Sequence, residues 1–131
     1  MVYYVDTSAL GKLLFDEEQC LYLRRWWQKH CSQAVSSDLA RTEMLRTVRR
    51  VSPDKLASAN ALLAALDTIN LDQEHYSQAG MTEPIQLRSL DALHLTAALL
   101  FRPELDGLVT YDKRLAEAAA LVGVTVIAPT G

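Results

Sequence analysis

Four carboxylates, Asp6, Glu43, Asp91 and Asp112, stand at the start of helix-forming segments or within their first turns, and two directly follow β-branched runs. Carboxylates offer only hard oxygen ligands, so a cluster of them suits Mg²⁺ or Mn²⁺, ions that take phosphate oxygens of a substrate. The chemistry implied is hydrolysis of a phosphodiester by metal-activated water. Without a cation the cluster is unfavourable. Two unit charges ~4 Å apart repel by roughly 4 kcal/mol at an effective dielectric of about 20, and close carboxylates respond by raising a pKa or recruiting a cation.

The elements that must position these groups can be read from residue periodicity. Val2-Tyr3-Tyr4-Val5 is a strand pattern that ends in Asp6-Thr7-Ser8, after which Leu10, Leu13 and Leu14 recur at helical spacing. Gly107-Leu108-Val109-Thr110-Tyr111 is a second strand, followed by Asp112 and a helix carrying Leu115, Ala118, Ala119 and Val122. Glu43 lies one to two turns into a helix that Ser37 or Asp38 could cap, and Asp91 lies in the first turn of one that Ser89 could cap. The pattern predicts helices over residues 8–15, 17–29, 38–51, 53–66, 73–81, 89–100 and 112–122, and strands over 2–5, 34–36, 68–71, 107–110 and 125–127. That alternation argues an α/β fold, a three-layer sandwich around a short parallel sheet of about five strands. Ligands of such sheets bind outside the carboxyl ends of the strands, where the four acids would meet. Residues 80–87, with Pro84, form the longest irregular segment and could bring Arg88 to that edge.

Each acid also has a plainer role open to it. Asp112 could cap its helix, Asp91 could complement a helix dipole, and Glu43 could pair with Arg46 or Arg50 on a solvated face. Arg88 could simply pair with a nearby acid. His94, three residues after Asp91, sits among apolar residues and reads as a packed histidine bonded to backbone or a neighbouring acid rather than a proton carrier. Joint placement and the surrounding words therefore carry the case for a site.

Those words resemble the PIN-domain ribonucleases, and within them the VapC toxins of toxin-antitoxin pairs. Tyr4-Val5-Asp6-Thr7-Ser8-Ala9-Leu10 is similar to the family's first motif, Leu39-Ala40-Arg41-Thr42-Glu43 to the segment carrying its glutamate, and Ser89-Leu90-Asp91-Ala92-Leu93-His94-Leu95 to the third. Leu108-Val109-Thr110-Tyr111-Asp112-Lys113-Arg114-Leu115, an alanine-rich helix, Gly123 and Val124-Thr125-Val126-Ile127 resemble its C-terminal end. The resemblance implies an endoribonuclease in which Asp6, Glu43, Asp91 and Asp112 bind Mg²⁺ or Mn²⁺, with Ser8 and Thr110 as hydrogen-bonding neighbours. Arg46 and Arg88 are candidates for contact with the four acids or with the substrate on their placement alone. Some relatives carry a further acid after the last one, where this chain has Lys113 and Arg114. The resemblance further implies a homodimer and an antitoxin peptide held near the first two helices. There Trp26 and Trp27, being adjacent, cannot share one helix face.

Length and composition accord with a single PIN-like domain over residues 1–131, half of whose residues are apolar. No run approaches the roughly 20 apolar residues of a membrane span, and the start lacks a signal-peptide pattern, so a cytoplasmic protein is expected. Cys20 and Cys31 are too far apart along a helix for a disulfide and too few for a zinc site. The net charge of −3 is unlike a nucleic-acid surface, yet Arg41, Arg46, Arg49 and Arg50 cluster near Glu43, and Lys113 with Arg114 follow Asp112. Two other classes share the pattern in part. A phosphotransfer receiver or haloacid-type phosphatase would want a second acid beside the first, which Asp6-Thr7-Ser8-Ala9 lacks. A noncatalytic PIN-like module binding RNA or protein would keep the fold alone.

Overall fold

The computed structural model describes residues 1–15 and 20–130. Five strands, β1 (Val2–Val5), β2 (Ala34–Ser37), β3 (Asp67–Ile69), β4 (Leu105–Val109) and β5 (Val126–Ile127), pair in the order β3-β2-β1-β4-β5. Every pairing is parallel. The chain starts at the centre, builds outward through β2 to β3, then crosses to the other side of β1 to lay down β4 and β5. The tips of β1 and β4 therefore flank the switch point, the crevice where open parallel sheets bind ligands.

Among the described residues, seven α-helices cover the sheet: α1 (Thr7–Lys12), α2 (Cys20–His30), α3 (Leu39–Val51), α4 (Leu56–Ala65), α5 (Gln73–Gly80), α6 (Ser89–Leu99) and α7 (Lys113–Leu121). Side chains alternate across a strand, and the core divides accordingly. Tyr4, Val35 and Leu108 join Leu95 of α6 and Leu115 of α7 on one face; Val5, Ala34 and Val109 join Leu10, Leu23, Met44 and Leu63 of α1 to α4 on the other. Fully burying each large aliphatic side chain contributes about 1.5–3 kcal/mol, so the two faces together anchor the central strands. Residues of α6 from His94 to Ala98 are buried in sequence, as expected of a helix packed between the sheet, α5 and α7.

The departures from the sequence reading have local causes. The start of the predicted 17–29 helix, at Glu17, lies outside the described residues, and the helix runs on to His30 before a 3₁₀ turn at Cys31–Gln33. The first helix ends at Lys12 rather than Phe15, with Leu13 closing it through bonds back to Ala9, Leu10 and Gly11. Pro53–Lys55 is a 3₁₀ turn and α4 begins after it. The third strand falls at Asp67–Ile69 instead of 68–71, because Leu71 leaves the ladder for the core and its N–H meets Asp38 Oδ2 at 3.4 Å. The fourth begins two residues earlier, at Leu105, paired with Val2. None of the three caps proposed for the middle acids operates. Asp38 occupies the N-cap position of α3 in a helical conformation without a side-chain cap bond, Ser37 is turned to Tyr4, and Arg88 rather than Ser89 precedes α6. Gly123, with φ of 80°, ends α7: its N–H bonds Ala120 and that of Val124 bonds Ala119, a closure favouring glycine.

Cys20 is buried, Cys31 is exposed, and both are free thiols. No described helix is long and apolar enough to cross a membrane.

Candidate active site

Asp6 follows the last residue of β1 and is 4% exposed. Its Oδ1 accepts from Ser8 Oγ at 2.7 Å and from the Ala9 N–H at 3.2 Å, while Oδ2 accepts from Thr110 Oγ1 at 2.7 Å. The same two hydroxyls accept from the neighbouring loop: Ser8 from the Tyr111 N–H at 3.0 Å and Thr110 from the Asp112 N–H at 3.0 Å. The carboxylate is thus tied across both strand tips. Burial, the larger influence, pushes its pKa above the ordinary 3.8, while the Ser8 and Thr110 hydrogen bonds pull it down.

Asp112 caps α7, its Oδ1 accepting from the N–H groups of Arg114 at 2.9 Å and Leu115 at 3.2 Å. Capping engages one oxygen, so the plainer role and a ligand role are compatible. Asp91, in the first turn of α6, is half-buried. Its pKa is raised by burial first, then by the charge of Asp112, with Asp6 adding to the effect and Arg88 and His94 opposing it. Asp6, Asp91 and Asp112 therefore share one electrostatic site, and among the described residues no lysine or arginine forms an ion pair with any of the three.

Glu43 reaches the region from α3 and is held differently. Its Oε1 accepts from Thr7 Oγ1 at 2.9 Å and lies 2.6 Å from His94 Nε2. His94 Nδ1 is in turn 2.8 Å from the Tyr4 hydroxyl, which is 2.8 Å from Ser37 Oγ. The pairing with Arg46 or Arg50 considered from sequence is replaced by this partner set. Glu43 instead lines, with Arg46, Tyr76 and Leu90, a cleft of about 400 Å³ between α3, α5 and α6. Arg46 also borders a second concavity formed with Arg49 and Arg50. Arg88 is exposed at the head of α6 and acts on the charge of Asp91.

Sequence reasoning missed Tyr4, Ser37 and Thr7 in this network, whereas the expectation that His94 is a packed histidine bonded to backbone or a neighbouring acid is met by its contact with Glu43. A signal existed: Tyr4 shares a strand face with Asp6, and His94 shares a helix face with Asp91. What could not be read was that Glu43, far along the chain, would meet the histidine.

The donor set fits a hard divalent cation in its chemistry, since Asp6 is buried, Asp91 feels the charges of Asp112 and Asp6, and no lysine or arginine among the described residues forms an ion pair with any of the three. With the side chains as they stand, no three His, Cys, Asp or Glu groups among the described residues converge to ligating distance. Asp91 accepts no hydrogen bond from a described residue.

Residues 3–121 match the PIN domain family. Ribonuclease VapC47 of Mycobacterium tuberculosis is 40% identical over 130 residues that cover 96% of this chain and 96% of its own. Among solved structures, a toxin-antitoxin complex from Klebsiella pneumoniae aligns with a TM-score of 0.74 at 18% identity, over 98% of each chain. Mycobacterium tuberculosis VapC20, a toxin that cleaves the sarcin-ricin loop, aligns at 0.76 and 15% identity over 97% of this chain and 99% of its own. At those identities the two structures speak for the fold, whereas the end-to-end identity to VapC47 speaks for descent. Sheet order, joint placement of the acids at one edge, and sequence agree, and the chain belongs to the PIN-domain family, within its VapC branch.

Proposed function

We propose that the chain is a metal-dependent endoribonuclease that hydrolyses RNA phosphodiester bonds, acting as one PIN domain and as the toxin of a toxin-antitoxin pair. The observation that carries the reading is the shared site of Asp6, Asp91 and Asp112, where the charges of Asp112 and Asp6 add to burial in holding the Asp91 pKa up and no lysine or arginine among the described residues forms an ion pair with any of the three. Asp6, Asp91 and Asp112 would hold Mg²⁺ or Mn²⁺, directly or through water, with Glu43 as ligand or water-orienting group. The ion, when bound, supplies an activated water and neutralises charge that develops on the phosphate. Asp6, fixed by Ser8, Thr110 and Ala9, presents its carboxylate without reorganisation. Glu43 keeps Oε2 for the water, Arg88 and Arg46 stand where phosphates of the strand would pass, and no side-chain nucleophile is required. Lys113 and Arg114, where some relatives carry another acid, favour a single ion.

Partners follow from the surface. A groove of about 260 Å³ lined by Leu13, Leu14, Arg24, Trp27, Gln28 and Leu62 suits an antitoxin segment with apolar side chains. Trp27 faces that groove, whereas Trp26 packs edge-on to Tyr3. Exposed Tyr76, Met81, Ile85 and Leu90 give a homodimer an apolar surface to bury. We infer a cytoplasmic location, which would place a toxin beside its RNA substrate and its antitoxin.

The test is incubation of the purified, antitoxin-free chain with total RNA in Mg²⁺, in Mn²⁺ and in EDTA, beside Asp91→Asn. Discrete fragments that need metal and vanish in the variant are expected. Intact RNA despite calorimetric metal binding would sink the enzyme and favour the noncatalytic module.

A further inference from the structure

Glu43 differs from the other three acids in that its position is imposed by a buried chain of side chains. Tyr4 and Ser37 are fully buried and His94 is 2% exposed, so none of them reaches a substrate in the cleft. An ionised Glu43 can only accept, which requires His94 Nε2 to donate across their 2.6 Å contact. The Tyr4 hydroxyl lies 2.8 Å from His94 Nδ1 and 2.8 Å from Ser37 Oγ. It then donates to His94 Nδ1 and accepts from Ser37, completing a run Ser37, Tyr4, His94, Glu43 that crosses β2, β1, α6 and α3. No buried side-chain polar atom among the described residues is left without a partner. Thr7 Oγ1 adds a second donor to the same Glu43 oxygen.

We propose that His94 is a positioning residue: braced by Tyr4 and Ser37, it clamps Glu43 Oε1, so that Glu43 meets the metal or its water through Oε2 alone. The clamp presupposes the metal-dependent reading given above. A free glutamate has three side-chain bonds about which to rotate; two donors on one oxygen restrict that rotation and leave the other oxygen without a side-chain donor among the described residues. Groups that orient metal ligands in this way matter nearly as much as the ligands themselves, and their loss costs about ten- to a hundredfold in metal affinity or rate.

The two amides that resemble halves of the imidazole separate this role from simple packing. His94→Gln places a donor where Nε2 stands, and His94→Asn places a polar group only where Nδ1 stands. Mn²⁺ alone is titrated calorimetrically into each protein, and RNA cleavage is resolved into kcat and KM. His94→Asn is expected to bind Mn²⁺ about ten- to a hundredfold more weakly and to lose kcat at unchanged KM, while His94→Gln retains most of both. Tyr4→Phe, which keeps the ring volume and releases Nδ1, shows a smaller loss in the same sense and serves if His94→Asn does not fold. Parental affinity and kcat in folded His94→Asn or in Tyr4→Phe overturn the clamp alone, as does equal impairment of the Asn and Gln variants. A parent chain that binds no Mn²⁺ overturns the clamp and the metal reading together.

Discussion

Asp6 and Asp91 are held above the ordinary carboxylate pKa for related reasons, burial in both cases and neighbouring acids in the second. A group whose folded pKa is raised favours the folded state when protonated, so its stabilising contribution is full below the unfolded value and is lost as pH rises through the folded one. In EDTA the melting temperature should therefore gain from these two sites as pH falls from neutral toward 3.8. Asp91→Asn, which removes the charge without breaking a hydrogen bond to a described residue, should melt higher than the parent at neutral pH and show less gain on acidification. Thermal denaturation over a pH series checks this; an identical pH dependence in the variant would remove Asp91 from the charged cluster. Asp6→Asn is a less clean probe of stability, because its amide would face hydroxyls that now donate to the carboxylate.

At the scale of elements, Asp112 is both a cap and a candidate ligand, and substitution can part the two. Asn retains cap preference and loses the charge, whereas Ala loses both. Asp112→Ala should cost about 1 kcal/mol of stability by denaturant titration. Asp112→Asn should fold as the parent does yet lose most of its cleavage; if Asn cleaves normally, Asp112 is a cap only. The strands were legible where β-branched and aromatic residues ran together, as in Val2–Val5, and where a short apolar run met serines, as in Ala34–Ser37. They were less so at Leu105–Val109, whose first residues are polar or partly exposed, because pairing with β1 and not propensity defines where it begins.

Across the whole molecule the net charge of −3 opposes nucleic-acid binding, and local arrangement must offset it. Arg46, Arg49 and Arg50 line one concavity, and Arg46 also lines the cleft that Glu43 borders. The double substitution Arg49→Gln with Arg50→Gln should raise KM for RNA, leave kcat unchanged, and reduce the slope of log KM against log salt by about 0.7 for each phosphate that is no longer neutralised. Cleavage measured from low to physiological salt reads this, and an unaltered slope would place the RNA elsewhere.

The sequence by itself determined the fold class and the order of most elements, and it singled out the four acids as candidates, because periodicity and strand-tip position are local properties written in consecutive residues. Its resemblance to a known family pointed to Ser8 and Thr110, two residues from Asp6 and Asp112 along the chain. Only the tertiary structure decided that Ser8 and Thr110 lace β1 to β4 through one carboxylate, and that Asp91 comes within reach of the charges of Asp6 and Asp112. It alone decided that Glu43 is held by His94 rather than by an arginine on its own helix. Those contacts span up to 104 positions of sequence. They exist because parallel pairing and burial on both faces of the sheet bring distant segments to one edge, and no local pattern encodes which partners meet there.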